Sequence, residues 1–327
     1  MDVRLITHSG IRRHPVEALA GLLAGGEGLL WVDVPDCDPD AARVLADVFG
    51  FAPGSVHDCV ERNRVPKVHA DPDHLFVVLH APERGAGGHV HYVELDQFVG
   101  TRYLVTVHGP VNPAVDGRVA LRDTRAVLDR LESGKLRPST PFELSHAIVS
   151  TLTHRLEDFV EMLTGDVWKL EQRVTGGNLD DPEQLLDELF RARHGLLAAR
   201  TMAASSREIY HRISTLADTV PVTAGSLVTD LVDQFDRVRT LADNQREYLQ
   251  GVIEFYRTRT ETKMTIAAER FAVIAAVTLP ITALSSVLGM NVIVNDHTQV
   301  WPLVATLAVM VAMSAALLRW ARRRGWW

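Results

Sequence analysis

Phe271 to Leu288, FAVIAAVTLPITALSSVL, is 18 residues without a charged side chain, and Val300 to Leu318, VWPLVATLAVMVAMSAALL, is 19 more. At the helical rise each run extends roughly 27 to 29 Å, enough to cross the hydrocarbon core of a bilayer. One such run is compatible with the buried helix of a soluble core. Two of them, separated by eleven residues, read as a pair of transmembrane helices. Arg257, Arg259, Lys263 and Arg270 precede the first run, Arg319, Arg322, Arg323 and Arg324 follow the second, and the connecting loop has neither Lys nor Arg. Positive flanks stay on the cytoplasmic side, so both termini are expected in the cytoplasm of a protein of the inner (plasma) membrane.

Upstream of the first span no proline occurs from Thr223 until Pro280. Apolar side chains fall at Leu231, Phe235, Val238, Ala242, Leu249, Val252 and Tyr256, a four-three repeat interrupted at Gln245. This pattern predicts a stalk helix that packs lengthwise on other helices and runs into the membrane. Thr223 to Leu288 is 66 residues, roughly 100 Å as a continuous helix. Before it, Phe142 to Val174 and Pro182 to about Ser214 read as two long helices, separated at Gly176-Gly177-Asn178 and ended before Pro221. The first 140 residues instead mix strands and short helices. Strands are predicted over Arg4 to His8, Leu29 to Val34, Leu75 to Ala81, His91 to Val99 and Tyr103 to His108, the last two joined by Gly100-Thr101-Arg102 as a hairpin. Helices are predicted over Pro15 to Leu23, Asp38 to Phe49 and Ala114 to Leu131. The expected organisation is therefore an α+β membrane protein. A cytosolic α/β domain (1–140) is followed by a cytosolic helical hairpin (141–222), a stalk helix (223–270), the first transmembrane helix (271–291), an outer loop (292–299), the second transmembrane helix (300–318) and a basic cytosolic tail (319–327).

Several function classes are disfavoured. A formal charge of -7 and a pI near 6.0 give no basic face for nucleic acid. Cys37 and Cys59 are too few for a disulfide framework and lack zinc-site spacing, so both read as buried thiols in a reducing compartment. The N-terminal residues carry no apolar run of signal-peptide length, and residues 1 to 265 are expected to stay cytoplasmic. Neither Leu22 to Gly28 (LLAGGEG) nor Gly85 to Gly88 (GAGG) has the spacing of a phosphate-cradling loop. His57-Asp58 offers a metal dyad for hydrolysis but lacks a second histidine-carboxylate set, so no enzyme and no organic cofactor are expected.

Two helices cannot enclose a pore, so a transport reading requires an oligomer. In the first span Ala268, Ala272, Ala275, Leu279, Thr282, Ser286 and Gly289 recur every three or four residues. Such a stripe suits a water path, and it suits small-residue helix packing equally. The span then closes on Gly289-Met290-Asn291. Here the sequence resembles the CorA family of divalent-cation channels, whose signature is this Gly-Met-Asn at the mouth of the first transmembrane helix. Pro280 and Thr282 within the helix, the short loop, the second span, the basic tail and the long cytosolic lead-in extend the resemblance. So do Arg64 to Val68 (RVPKV) and Phe98 to His108 (FVGTRYLVTVH) in the N-terminal domain.

The resemblance implies a funnel-shaped homopentamer that conducts Mg2+, with Co2+ or Ni2+ as further cargo, and that is gated by intracellular divalent cation. It implies a selectivity filter at Gly289, Met290 and Asn291, with Asn291 and the Gly289 carbonyl meeting the metal. Phe271, Ala275, Leu279, Thr282 and Ser286 are then expected to line the pore, Leu279 and Phe271 as apolar constrictions. Mg2+ dehydrates reluctantly, and a ring of neutral oxygens holds a hydrated ion and lets it leave. Asp230 and Glu254 fall where acidic stalk residues of the family sense and pass divalent ions, with Asp230 implied as a regulatory Mg2+ ligand. The sequence also departs from the family. The loop Val292 to Val300 (VIVNDHTQV) has Asp296 as its only acid, and Thr262 and Thr265 stand where relatives often carry Asn. A zinc transporter of the same fold is an alternative reading, and a membrane-anchored sensor or scaffold without flux is another.

Overall fold

The computed structural model describes residues 1–176, 181–216, 220–289 and 300–323. Met1–Gly251 and Val252–Trp327 form two compact units.

The first unit is built on a seven-stranded sheet in the order β2-β1-β3-β7-β6-β5-β4. Its strands are β1 (Asp2–Thr7), β2 (Gly10–His14), β3 (Leu29–Val34), β4 (Lys67–Ala70), β5 (His74–Arg84), β6 (Val90–Gly100) and β7 (Tyr103–Val107). Every neighbouring pair is antiparallel except β3 and β7, which run parallel. The predicted hairpin at Gly100-Thr101-Arg102 is present, Val99 facing Leu104. The β5–β6 hairpin is longer than its apolar core suggests, and its turn uses Gly87 and Gly88 at φ 65 and 81, a conformation that favours glycine. Side chains alternate across the central strands. Leu30, Val32, Val34, Phe76, Val78, Phe98, Val105 and Val107 fill one face beneath α1 (Leu19–Gly25), α2 (Pro39–Asp47) and α3 (Pro53–Val60). Cys37 and Cys59 are free, buried thiols in this layer. Burial raises the Cys37 thiol to about 11, with nearby acids adding to the shift.

The opposite face receives α5 (Arg122–Glu132), α6 (Pro141–Gly176) and α7 (Pro182–Ser214). Thr124 of α5 meets Asp33, and Ser145 of α6 donates to Gln97 at 2.5 Å. Arg155, buried on α6, binds Asp123 at 3.2 Å and Glu83 at 3.0 Å, tying α6 to α5 and β5. The helix predicted over Ala114 to Leu131 is divided into α4 (Gly117–Ala120) and α5, because Leu121 at ψ 1 leaves helical geometry. Among the described residues β2, β4 and α3 are additional to the strands and α-helices expected. β2 and β4 are the sheet edges, each paired on one side only. Exposed Arg12 and Arg13 on β2, and Pro66 and Lys67 at the start of β4, deny a foreign strand an easy partner.

α8 runs as one helix of 65 residues from Gly225 to Gly289, with Pro280 inside it. Leu231, Phe235, Val238, Ala242, Leu249 and Val252 are all buried, the seam that the four-three repeat predicts. Within the first unit Phe235 stacks on Tyr210 of α7 at 5.7 Å between centroids. Arg200–Asp243 (2.9 Å) and Arg207–Asp236 (2.8 Å) join α7 and α8 alongside the seam. α7 starts where Asp181 accepts from Glu183 N and Gln184 N, with Pro182 at its first position.

The second unit holds the end of α8 and α9 (Val300–Arg323). Each contains a window long and apolar enough to cross a membrane, and each window is only 6% buried.

Candidate functional site

Burial along the first span separates two faces. Val273 is buried and Val277, Pro280, Ile281 and Leu284 are partly shielded, a stripe with helical spacing. Phe271, Ala275, Leu279, Thr282 and Ser286 are all exposed on the other side, so the chain leaves the expected pore face uncovered. Thr306, Met310, Met313, Ser314, Leu317 and Ala321 form the shielded stripe of α9. The hydroxyl of Thr282 donates to Thr278 O at 2.9 Å, and that of Thr278 to Ile274 O at 2.8 Å. With its proton committed to the helix, Thr282 Oγ1 presents lone pairs outward, and the water shell of a cation donates to lone pairs. Pro280 has no N–H, so Ala276 O loses its helical donor within this same segment. Gly289 is the last residue of α8. Met290, Asn291 and the loop 292–299 lie outside the described residues.

N-terminal to Val273, every residue from Glu261 to Ala272 is exposed. Glu254 is exposed as well, beside Arg257, whose guanidinium binds Glu261 at 2.9 Å. Within the first unit Asp230 has a different setting. Its Oδ2 accepts from His146 Nε2 at 2.7 Å and from Gln234 Nε2 at 2.6 Å. The His146 hydrogen bond, with help from Gln234, holds the Asp230 carboxyl below its ordinary value against a small opposing effect of burial. Asp236 is bound by Arg207 and Arg239, and Asp243 by Arg200, Arg239 and Arg246. Asp230 has no guanidinium partner among the described residues. No group of three or more His, Cys, Asp or Glu poised for a metal occurs among them either. The His146 partner carries no signal in the sequence, since it comes from α6, 84 residues away.

The hydrolytic dyad is dispersed. His57 faces Glu61 at 3.5 Å, while Asp58 pairs with Lys67 at 2.6 Å.

With the fold and these settings in view, comparison with known proteins is direct. The candidate metal ion transporter YfjQ of Bacillus subtilis (strain 168) is 23% identical over 302 residues, which cover 90% of this chain and 89% of that protein. The complete structure of the CorA magnesium transporter from Methanocaldococcus jannaschii superposes with a TM-score of 0.82 at 13% identity, covering 100% of this chain and 99% of that one. The full-length CmaX protein superposes with a TM-score of 0.75 at 20% identity, covering 98% and 97%. Residues 26–323 match the family described as CorA-like Mg2+ transporter protein, and a match over that length places the chain in the family. A sheet domain, a continuous stalk helix and two apolar helices closing the chain are thus the architecture of a member of the CorA-like Mg2+ transporter family.

Proposed function

We propose that the chain assembles as a homopentamer in the cell inner membrane, both termini cytoplasmic, and conducts divalent cations, Mg2+ first among them, through an axial pore lined by the first span. The observation that carries the reading is the uncovered face of that span. Thr282 and Ser286 are exposed opposite the shielded stripe, and a polar face in lipid is costly unless it meets water or another subunit. Five copies arranged around an axis supply both. Leu279 and Phe271, exposed by 66% and 72% on the same helix, are the apolar narrowings, able to close by dewetting. Ala275 between them leaves width for a hydrated ion.

Gly289, Met290 and Asn291 form the entrance filter in this reading. Asn291 side-chain oxygens and the Gly289 carbonyl accept from the ion's waters, selecting a hydrated divalent ion without trapping it as a carboxylate ring would. Asp230 supplies the regulatory contact and Glu254 an acidic point on the ion's cytoplasmic route. Bound Mg2+ bridging Asp230 to carboxylates of a neighbouring subunit offsets like-charge repulsion and favours the closed state.

The test is Mg2+ uptake into proteoliposomes. Asn291→Ala and Gly289→Ala are each expected to lower uptake by ten-fold or more while the cytosolic domain unfolds at the wild-type temperature. Wild-type flux in correctly inserted Asn291→Ala protein removes the filter assignment. Repeating the assay with Co2+, Ni2+ and Zn2+, with and without a proton gradient, ranks the cargo and separates a channel from a coupled transporter.

A further inference from the structure

The only parallel neighbours in the sheet, β3 and β7, send their chains to opposite faces. After Val34 the chain enters α2 and α3 on one side, and after Val107 it enters α4 to α6 on the other. Such a divergence opens a crevice outside the carboxyl ends of the strands, the place where open α/β sheets bind their ligands. A crevice of about 60 Å3 lies there, walled by Pro35 after β3, by His108 to Asn112 after β7, and by Arg62 and Tyr92. It has room for a few water-sized groups, since one water needs about 10 to 15 Å3.

His108 is 3% exposed and lines this crevice. Its Nε2 donates to Asp33 Oδ1 at 2.8 Å. Thr106 Oγ1 donates to the same oxygen at 2.5 Å and is itself bonded by Trp31 Nε1 at 3.1 Å, while Thr124 Oγ1 lies 3.2 Å from His108 Nε2. Burial alone would raise the Asp33 carboxyl, but the charge and hydrogen bond of His108, with Thr106, hold it low, so it anchors the ring as an anion. The other ring nitrogen, Nδ1, is buried with no hydrogen-bond partner. An orphaned polar atom in an otherwise satisfied network calls for a missing partner.

The remaining free groups around the crevice are donors. Arg62 spends one Nη on Tyr92 O at 3.2 Å and keeps its other N–H groups. Asn112 Oδ1 accepts from Ala114 N at 3.0 Å, which leaves its amide N–H2 uncommitted. The acids are engaged: Glu94 takes two hydrogen bonds from Asn63, and Asp116 is bound by Arg118. We propose that this crevice binds a small carboxylate- or phosphate-bearing anion, held by the Arg62 guanidinium and the Asn112 amide, with a neighbouring polar group of the ligand meeting the unpartnered His108 Nδ1. Charge-assisted bonds from Arg supply most of the affinity, and Pro35 together with Pro110 offers an apolar wall for the ligand's body.

The experiment is thermal unfolding of the full chain in detergent, titrated with inorganic phosphate and separately with acetate at constant ionic strength, chloride being the reference anion. A saturable rise in the midpoint with phosphate or acetate is expected, since a ligand of the native state stabilises it by mass action. Arg62→Ala and Asn112→Ala should each weaken that response roughly ten-fold, and Arg43→Ala, an exposed cation on α2 away from the crevice, should leave it intact. His108→Gln is a third probe, but the two rim variants carry the test because the buried network is left whole. Which of the two anions saturates assigns the ligand's acidic group. No saturable response to either anion, or an undiminished response in Arg62→Ala, overturns the proposal. No flux is measured, so the result is independent of the transport reading.

Discussion

Asp230 Oδ2 has two claimants in the proposed mechanism, the His146 ring at 2.7 Å and a divalent cation, and they exclude one another at that atom. Removing the ring should release the carboxylate: His146→Ala is expected to gain Mg2+ protection against proteolysis at several-fold lower Mg2+ than wild type. Asp230→Ala should lose that protection and shift the Mg2+ dependence of flux with the filter intact, whereas Asp236→Ala, whose charge is spent on arginines, should change little. Wild-type Mg2+ dependence in Asp230→Ala would mark this residue as an ordinary stalk charge. The same carboxyl has a pH signature. Because its folded value lies below the ordinary 3.8, its contribution to stability is complete above that value and is lost as pH falls through the lower folded-state value. Asp230→Asn should therefore lower stability at pH 7 by less than about 1 kcal/mol, given the exposure of the pair, and the difference should vanish under strong acid. Asp33 is the contrasting case. Asp33→Ala leaves His108, Thr106 and Thr124 without their shared acceptor in the core, and a loss of about 3 kcal/mol in denaturant unfolding is expected.

At the scale of elements, α8 concentrates what the sequence makes readable. Its buried seam follows the four-three repeat from Leu231 to Val252, with Tyr256 at its end only half-buried, because helix periodicity is a local property. The limits of α6 and α7 were equally legible from Pro141, Pro182 and the glycines between them. The missed elements are those without such a signal: β2 reads GIRRH, polar because it is an edge, β4 is four residues long, and α3 is two turns with no side-chain cap. The candidate site divides in the same way. The proposed pore face of the first span is a periodic pattern on one helix, but the partner of Asp230 and the crevice beneath His108 are made by segments that meet only in the folded sheet and its covering helices. Pro280 poses a separate test. Proline inside a helix costs about 3 kcal/mol, so Pro280→Ala should raise the unfolding temperature. If the freed Ala276 carbonyl serves conduction, Mg2+ uptake should fall in the same variant. A rise in stability with unchanged uptake would assign Pro280 no part in the pore.

For the whole molecule, one chain is an incomplete object. No residue between Glu261 and Ala272 is shielded, yet an isolated helical stretch of that length is marginal in water. Leu241, Tyr248 and Phe255 recur at seven-residue spacing along α8, exposed by 42%, 46% and 51% and distinct from the buried seam. Neighbouring copies packed along α8 would cover them. Phe255→Asp places five like charges around the proposed axis, and mass measurement in detergent is expected to show a shift from pentamer to smaller species. A wild-type pentamer in that variant, or a stable active monomer of the native protein, would exclude assembly through this face. The guarded edges of the sheet bear on an earlier moment in the protein's life. Met1–Gly251 is synthesised before either apolar span, and at roughly 5 to 20 residues per second that takes roughly 12 to 50 s. During this interval the nascent sheet is exposed to other unfinished chains, with its membrane-seeking segments still untranslated. Arg12 and Arg13 on one rim, and Pro66 with Lys67 on the other, discourage ribosomes working along one message from zipping their unfinished products together before any of them reaches the bilayer.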